Sequence, residues 1–282
     1  QCVMKNPAAG GGRWVEVPPE RFVSWIARFT ERHGGIAGTA ESRPAGMVAG
    51  GVAGTVAGGV AGRAGTVTFT AADGAVAECH PPFPSPAPLL SPALLSSAGG
   101  ERAVAGALAA HAAADRTVGV LLVRLGGYAV GVFSGAPPRL VSSKTGSRPV
   151  HGRSAAGGWS QQRFARRRDN QASEALSAAA SAALDVWDGW ARGRSRSDKE
   201  GQGRGGTSAG DPAPAGAPGA GLDAVVLGGD KRAIAELRQD ARLAPYLDLA
   251  VARFLTVPDP KLAVLADSPR LFLAVRIWLT EP

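Results

Sequence analysis

The strongest constraint on the fold is a near-continuous apolar run from Thr117 to Leu125, TVGVLLVRL, which turns at Gly126-Gly127 and returns as Tyr128 to Gly135, YAVGVFSG. A strand with one wet face alternates polar and apolar residues. A strand apolar at consecutive positions must be covered on both faces. The run therefore predicts a central strand paired with its neighbour in a hairpin, inside a sheet flanked by helices. The surroundings supply those partners. Glu101 to Asp115 is rich in good helix formers, and a third strand is expected between Arg139 and His151. A long helix follows from about Gln161 to Trp190, with Leu176, Ala180, Leu184 and Trp187 at helical spacing on one stripe. Leu222 to Asp240 reads as strand, Gly-Gly turn and helix. A further strand is expected near Phe254 to Val257, a short helix from Asp259 and a last strand within Leu271 to Leu279. This order indicates an α/β fold built on a mixed sheet.

Upstream, residues 1–12 carry no hydrophobic pattern. A helix is expected from Pro18 to His33, with Pro19 in its first turn, Phe22, Trp25, Ile26 and Phe29 on one stripe and Gly34 past its end. The Gly/Ala/Val stretch at 46–62 is low in complexity and reads as a flexible insertion. Thr66 to Ala71 and Ala75 to Cys79 alternate around Ala72-Asp73-Gly74, a hairpin pattern. Residues 80–99, rich in Pro and Ser, form a connector. The expected organisation is an N-terminal helix-and-hairpin region at 1–98 and a larger domain at 99–282. Residues 192–221 are dominated by Gly, Pro, Ser and mixed charge and read as a disordered linker. It interrupts the larger domain, because each half alone has too few strands to close a core.

The net charge is +8 and the pI about 10.3, which favours polyanionic partners. Cys2 and Cys79 are too far apart to form a disulfide framework, and Cys79-His80 lacks the spaced partners of a zinc site. The stretch at 46–62 has no Leu, Ile or Phe, so membrane insertion is not expected. The start, QCVMKNPAAGGGR, has no apolar targeting core, and a soluble, cytoplasmic protein is expected.

The positive charge is clustered. No acidic residue occurs from Arg116 to Arg168. Arg139, Lys144, Arg148 and Arg153 lead into a loop containing Gly157, Gly158, Trp159, Ser160 and Gln161. Gln162 and the arginines 163, 166, 167 and 168 follow. Arg163, Arg166 and Arg167 share one helical face. Ser160 suits the cap of the helix, whose free N–H groups add partial positive charge toward the loop. Such a surface holds phosphates at several points, with Trp159 placed to stack on a base. The plainer reading is a solvated basic helix after a flexible turn.

Gly157-Gly158-Trp159-Ser160-Gln161, followed by Arg163-Phe164-Ala165-Arg166, resembles the catalytic loop and helix of the eukaryotic and archaeal peptide release factors, which carry Gly-Gly-Gln and then Arg-Phe-Ala-Arg. Here Trp159, not glutamine, follows Gly158. The Gly158-to-Gln161 spacing instead resembles the Vms-like release factors, and the overall layout resembles their actinobacterial branch. This resemblance implies a ribonuclease-H-like catalytic domain and hydrolysis of the ester between a nascent peptide and the tRNA 3′ end, on the large ribosomal subunit of stalled ribosomes. It implies Gln161 as the catalytic group, with Gly158 shaping the loop. Gly157, Trp159, Ser160, Gln162, Arg153, Arg163, Arg166 and Arg167 would contact RNA. Gln162 stands as the alternative catalytic group, and cleavage of the tRNA 3′ end as the alternative reaction. A non-catalytic tRNA- or ribosome-binding factor would use the same basic face.

Other chemistries lack their residues. Gly228-Gly229-Asp230-Lys231 has neither a P-loop ending nor a dinucleotide fingerprint. No G-x-S-x-G elbow is present, and the two apolar strands carry no carboxylates for a two-metal nuclease. No metal and no organic cofactor are expected.

Overall fold

The computed structural model describes residues 11–42, 65–85, 90, 100–124, 127–147, 158–201 and 221–282. For 158–172 and 195–201 it describes the backbone alone. The elements are β1 (Arg13–Val17), α1 (Pro19–Arg32), β2 (Ile36–Ser42), β3 (Thr66–Ala71), β4 (Val76–His80), α2 (Gly100–Ala113), β5 (Val118–Arg124), β6 (Gly127–Ser134), β7 (Arg139–Ser147), α3 (Gly158–Gly201), β8 (Ala224–Gly229), α4 (Lys231–Leu237), α5 (Ala244–Leu247), β9 (Ala250–Leu255), α6 (Leu262–Ala266), α7 (Pro269–Phe272) and β10 (Val275–Thr280). They form two compact units, 1–114 with 269–282, and 115–268.

The first unit is an antiparallel sheet in the order β1-β10-β4-β3-β2. The expected α1 and the β3–β4 hairpin are both present, and Phe22, Ile26 and Phe29 are buried on the α1 stripe. Strand alternation supplies the other half of this core: Val67, Phe69 and Ala71 from β3, Ala77 and Cys79 from β4, and Val275, Ile277 and Leu279 from β10. The Cys79 thiol is fully buried, and desolvation pushes its pKa far up, so it is an inert packing group. Glycine 34, at φ +75°, ends α1 as expected.

Two strands escaped the sequence reading. Arg13–Val17 is short and opens on glycines. Ile36–Ser42 has a half-exposed, Gly- and Ala-rich edge pattern with little alternation. Two further elements changed allegiance. The division falls after Ala114 rather than after residue 98, because Val104, Ala105, Leu108 and Ala112 of α2 pack with α1. The last strand, expected in the larger domain, lies between β1 and β4.

The second unit is a mixed sheet in the order β7-β6-β5-β8-β9. The first three strands are antiparallel, and β8 and β9 extend the sheet in parallel. The apolar run is β5, buried from Val118 to Val123 and central in the sheet, as its composition demands. On one face α3 lays Ala179, Ala180, Ala183, Val186 and Trp187 against Leu121, Val123, Val130 and Val132. On the other, α6 packs over β6 and β7. β9 begins at Ala250, four residues before the expected Phe254. The nearly buried Arg253 breaks the apolar pattern within it.

Long-range hydrogen bonds lock β5 to β8. The Thr117 N–H donates to Asp223 Oδ2 at 2.6 Å, and the Asp223 N–H donates to the Thr117 carbonyl at 2.8 Å. Asp223 also faces the half-buried Arg116 guanidinium, whose pKa burial lowers and Asp223 raises. Asp223→Ala leaves a part-buried N–H unmet and removes a carboxylate that faces Arg116. A loss of about 2 kcal/mol is expected, read as the midpoint shift in urea unfolding. An unchanged midpoint would show that this lock contributes nothing.

The segment 192–221, expected to be disordered from its start, is helical as far as Gly201. The helix persists because its side chains find tertiary partners: Trp190 Nε1 donates to the Gly221 carbonyl at 3.3 Å, and Arg194 Nη1 to Thr117 Oγ1 at 3.3 Å. Residues 202–220 lie outside the described part.

Candidate functional site on the basic helix

The candidate residues converge on the start of α3. This helix is 44 residues long, roughly 66 Å at 1.5 Å per residue. Its N-terminus therefore carries a full macrodipole, about +0.5 charge. The described helix already includes Gly158, ahead of the expected start near Gln161, so Gly158, Trp159, Ser160 and Gln161 are its first four described residues. Ser160 is a helical residue and not the cap expected from its type. Gln161 thus lies toward the positive end of a long dipole. Gln162, Arg163, Arg166 and Arg167 continue on the same helix. The side chains of all these residues, and Gly157 and Arg153 altogether, lie outside the described part.

The anchoring of this helix end is described. Leu176 packs partly against the core of the second unit and Trp187 fully. Gln161 lies 15 residues ahead of Leu176, roughly 22 Å along the axis in an ideal helix. Of the basic residues leading into the segment, Arg139 and Lys144 fall on β7, the edge strand beside α3. Lys144 Nζ binds Asp185 Oδ2 of α3 at 2.9 Å. That hydrogen bond, then the charge of Asp185, holds the Lys144 pKa above its ordinary value. Lys144 thus links β7 to the helix. Arg148 lies outside the described residues.

A second polar feature was not foreseen as a site. Arg124, Gly229, Asp230, Lys231 and Asp259 line a cleft of 300 Å³ at the carboxyl ends of β5 and β8. The turn there is sharp. Gly229 has φ +100°, and a Cβ on it would stand 2.1 Å from the Val123 carbonyl oxygen, so only glycine fits. Asp230 accepts from the Arg232 N–H and caps α4, while Arg124 Nη1 donates to the Val257 carbonyl at 3.0 Å. Both charges thus hold secondary structure in place, in keeping with the plain-turn reading of this segment. Its members are scattered over more than a hundred residues, so only the parallel sheet brings them together. No group of three metal-ligating side chains occurs among the described residues, and no described helix is long and apolar enough to cross a membrane.

Residues 116–278 match the family described as Actinobacteria/chloroflexi VLRF1 release factor. The match takes in more than half of the chain, including the whole mixed sheet and all of α3. The chain belongs to this family. The actinobacterial Vms-like resemblance carried by the glycine-glutamine segment and its Arg-Phe-Ala-Arg sequence is thereby established, and with it a release-factor-like role in ribosome rescue. The α/β architecture with a mixed sheet accords with such a domain. No protein of curated function matches the chain. The matched region ends inside β10, so it reaches past the second unit into a strand of the first.

Proposed function

We propose that this release factor hydrolyses the ester joining a nascent peptide to the 3′ end of its tRNA on the large ribosomal subunit, with Gln161 as the catalytic group. The observation that carries this reading is the release-factor family match over residues 116–278, which takes in the segment bearing Gln161. The chemistry needs no strong base. A water oxygen attacks the carbonyl carbon, the carbon–oxygen ester bond breaks, and the ribose oxygen leaves with a proton. What lowers the barrier is placement of the water and hydrogen-bond donors aimed at the developing oxyanion. A glutamine amide accepts from the water through its oxygen and donates through its nitrogen. A backbone N–H of the segment would supply a further donor, and Gly157 and Gly158 leave room for a crowded acceptor end. A neutral amide also avoids repelling the phosphates that Arg153, Arg163, Arg166 and Arg167 would hold, and Trp159, Ser160 and Gln162 would complete the RNA contact. No cofactor or metal is needed for this step, and the site of action is the cytoplasmic ribosome.

The test is to incubate the purified chain with labelled peptidyl-tRNA and the large subunit. Free peptide together with tRNA bearing an intact 3′ end is the expected outcome. Shortened tRNA would instead identify cleavage of the tRNA itself. Binding to the subunit without release of either product would make the chain a non-catalytic ribosome-binding factor.

A further inference from the structure

The first unit holds a groove that no part of the family match covers. It lies between β1 and α1, has a volume of 360 Å³, and is lined by Arg13, Glu16, Trp25, Arg28 and Arg32 together with Val15 and Leu279. All its residues fall outside 116–278. The volume is within the range of about 300–1,000 Å³ typical of small-ligand sites.

Three features of the groove point to one class of ligand. First, α1 and the residue that caps its C-terminus present aromatic rings in series at i, i+4 and i+8. Trp25 stacks parallel on Phe29 with centroids 5.7 Å apart and planes at 6°, and Phe29 meets His33 at 4.7 Å. The half-exposed Trp25 ends this stack on the solvent side. Second, Arg28 and Arg32 are exposed on the same helical face as Trp25, and no described acidic side chain pairs with either. They stand one turn apart, about 6 Å along the axis. Third, the nearby charges are already engaged. Arg13 binds Glu281 at 3.0 Å, Glu16 faces Arg276 at 3.8 Å, and His33 Nδ1 meets Asp73 Oδ2 at 2.7 Å. Of the acidic residues of α1, Glu20 lies two turns before Arg28, and Glu31, one turn after Arg28, forms no ion pair with it.

We infer that this groove binds single-stranded RNA, with one base extending the Trp25–Phe29 stack and neighbouring phosphates on Arg28 and Arg32. A flat apolar ring flanked by two unpaired guanidinium groups suits a nucleotide, because every base has a π-face and every linkage a negative charge. An acidic peptide would use the arginines and leave the ring without a partner. The inference does not rest on peptide release: it concerns a different unit and different residues.

The test uses the full chain and a 12-nucleotide oligouridine carrying one photoreactive 4-thiouridine. The expected crosslink lies in the peptide that contains Trp25. Arg28→Ala with Arg32→Ala should weaken binding at least fivefold. It should also flatten the dependence of log affinity on log salt by about 1.4, two phosphates at 0.7 each. Trp25→Ala should weaken binding and remove the crosslink while leaving the salt slope unchanged. Gln161→Ala should leave all three readings as in the wild type, which separates this site from the release chemistry. Thermal melting by circular dichroism checks that each variant is folded. Crosslinks confined to the region from Gly158 onward, wild-type affinity in the double arginine variant, or equal displacement of the RNA by polyglutamate would each overturn the inference.

Discussion

Replacing Gln161 by Ala is expected to slow peptide release at least a hundredfold while affinity for the large subunit and for tRNA stays within about threefold. The magnitude follows from the role. Loss of one preorganised donor to a developing oxyanion costs about 10²–10³ in rate, or roughly 2.7–4 kcal/mol, and Gln161 is proposed to orient the water as well. Binding should survive because affinity for RNA is set mainly by cationic contacts to phosphate. Gln162→Ala should cost less than tenfold. Adjacent residues on a helix point about 100° apart, so both amides cannot serve one reacting carbon, and α3 is helical at both positions. Single-turnover release with the two variants side by side checks the assignment. Equal losses of release and of binding in Gln161→Ala would remove its catalytic role. A larger loss in Gln162→Ala would transfer that role to its neighbour.

Trp187→Ala is expected to lower stability by about 4 kcal/mol, within the roughly 3–5 kcal/mol range for deleting a large buried aromatic. Trp187 is completely buried on the packed face of α3. Its Nε1 donates to the Gly131 carbonyl at 3.4 Å, and its ring lies 5.0 Å from that of Tyr246, whose hydroxyl is bonded to Asp188. The ring also occupies space that Gly119 leaves open: a Cβ there would stand 3.0 Å from Trp187 Nε1. The side chain therefore fills a shaped recess over the central strand, and its removal leaves a void the recess cannot close. At about 2–4 °C per kcal/mol for a domain of this size, the melting temperature should fall by roughly 10 °C. Because the same packing fixes the helix that bears Gln161, release near the melting temperature should fall with it. A loss below about 1 kcal/mol in chemical denaturation would show that the recess collapses without cost.

Both predictions concern α3, and they show where sequence reading succeeds and where it stops. The glycine-glutamine segment and its arginines lie within a few turns of one another, so their pattern identified the family without any fold. The burial of Trp187 was visible from its helical spacing. The helix boundaries were not. Its helical conformation at Gly158 and its continuation through the Gly- and Ser-containing stretch to Gly201 run against local propensity. The bonds from Trp190 to Gly221 and from Arg194 to Thr117, which tie its far end down, join residues 31 and 77 positions apart.

From the sequence alone came the apolar hairpin of β5 and β6, the α1 stripe, the β3–β4 hairpin and the glycine-glutamine segment, since each depends on residues close together along the chain. Only the tertiary structure decided that α2 joins α1, that the chain returns at Val275–Thr280 to seat β10 between β1 and β4, and that Trp25, Arg28 and Arg32 face a groove beside β1. The alternating Val275, Ile277 and Leu279 announce a strand with one face to bury. Which of two open apolar surfaces receives that face is a competition between distant partners, and periodicity carries no information about its outcome.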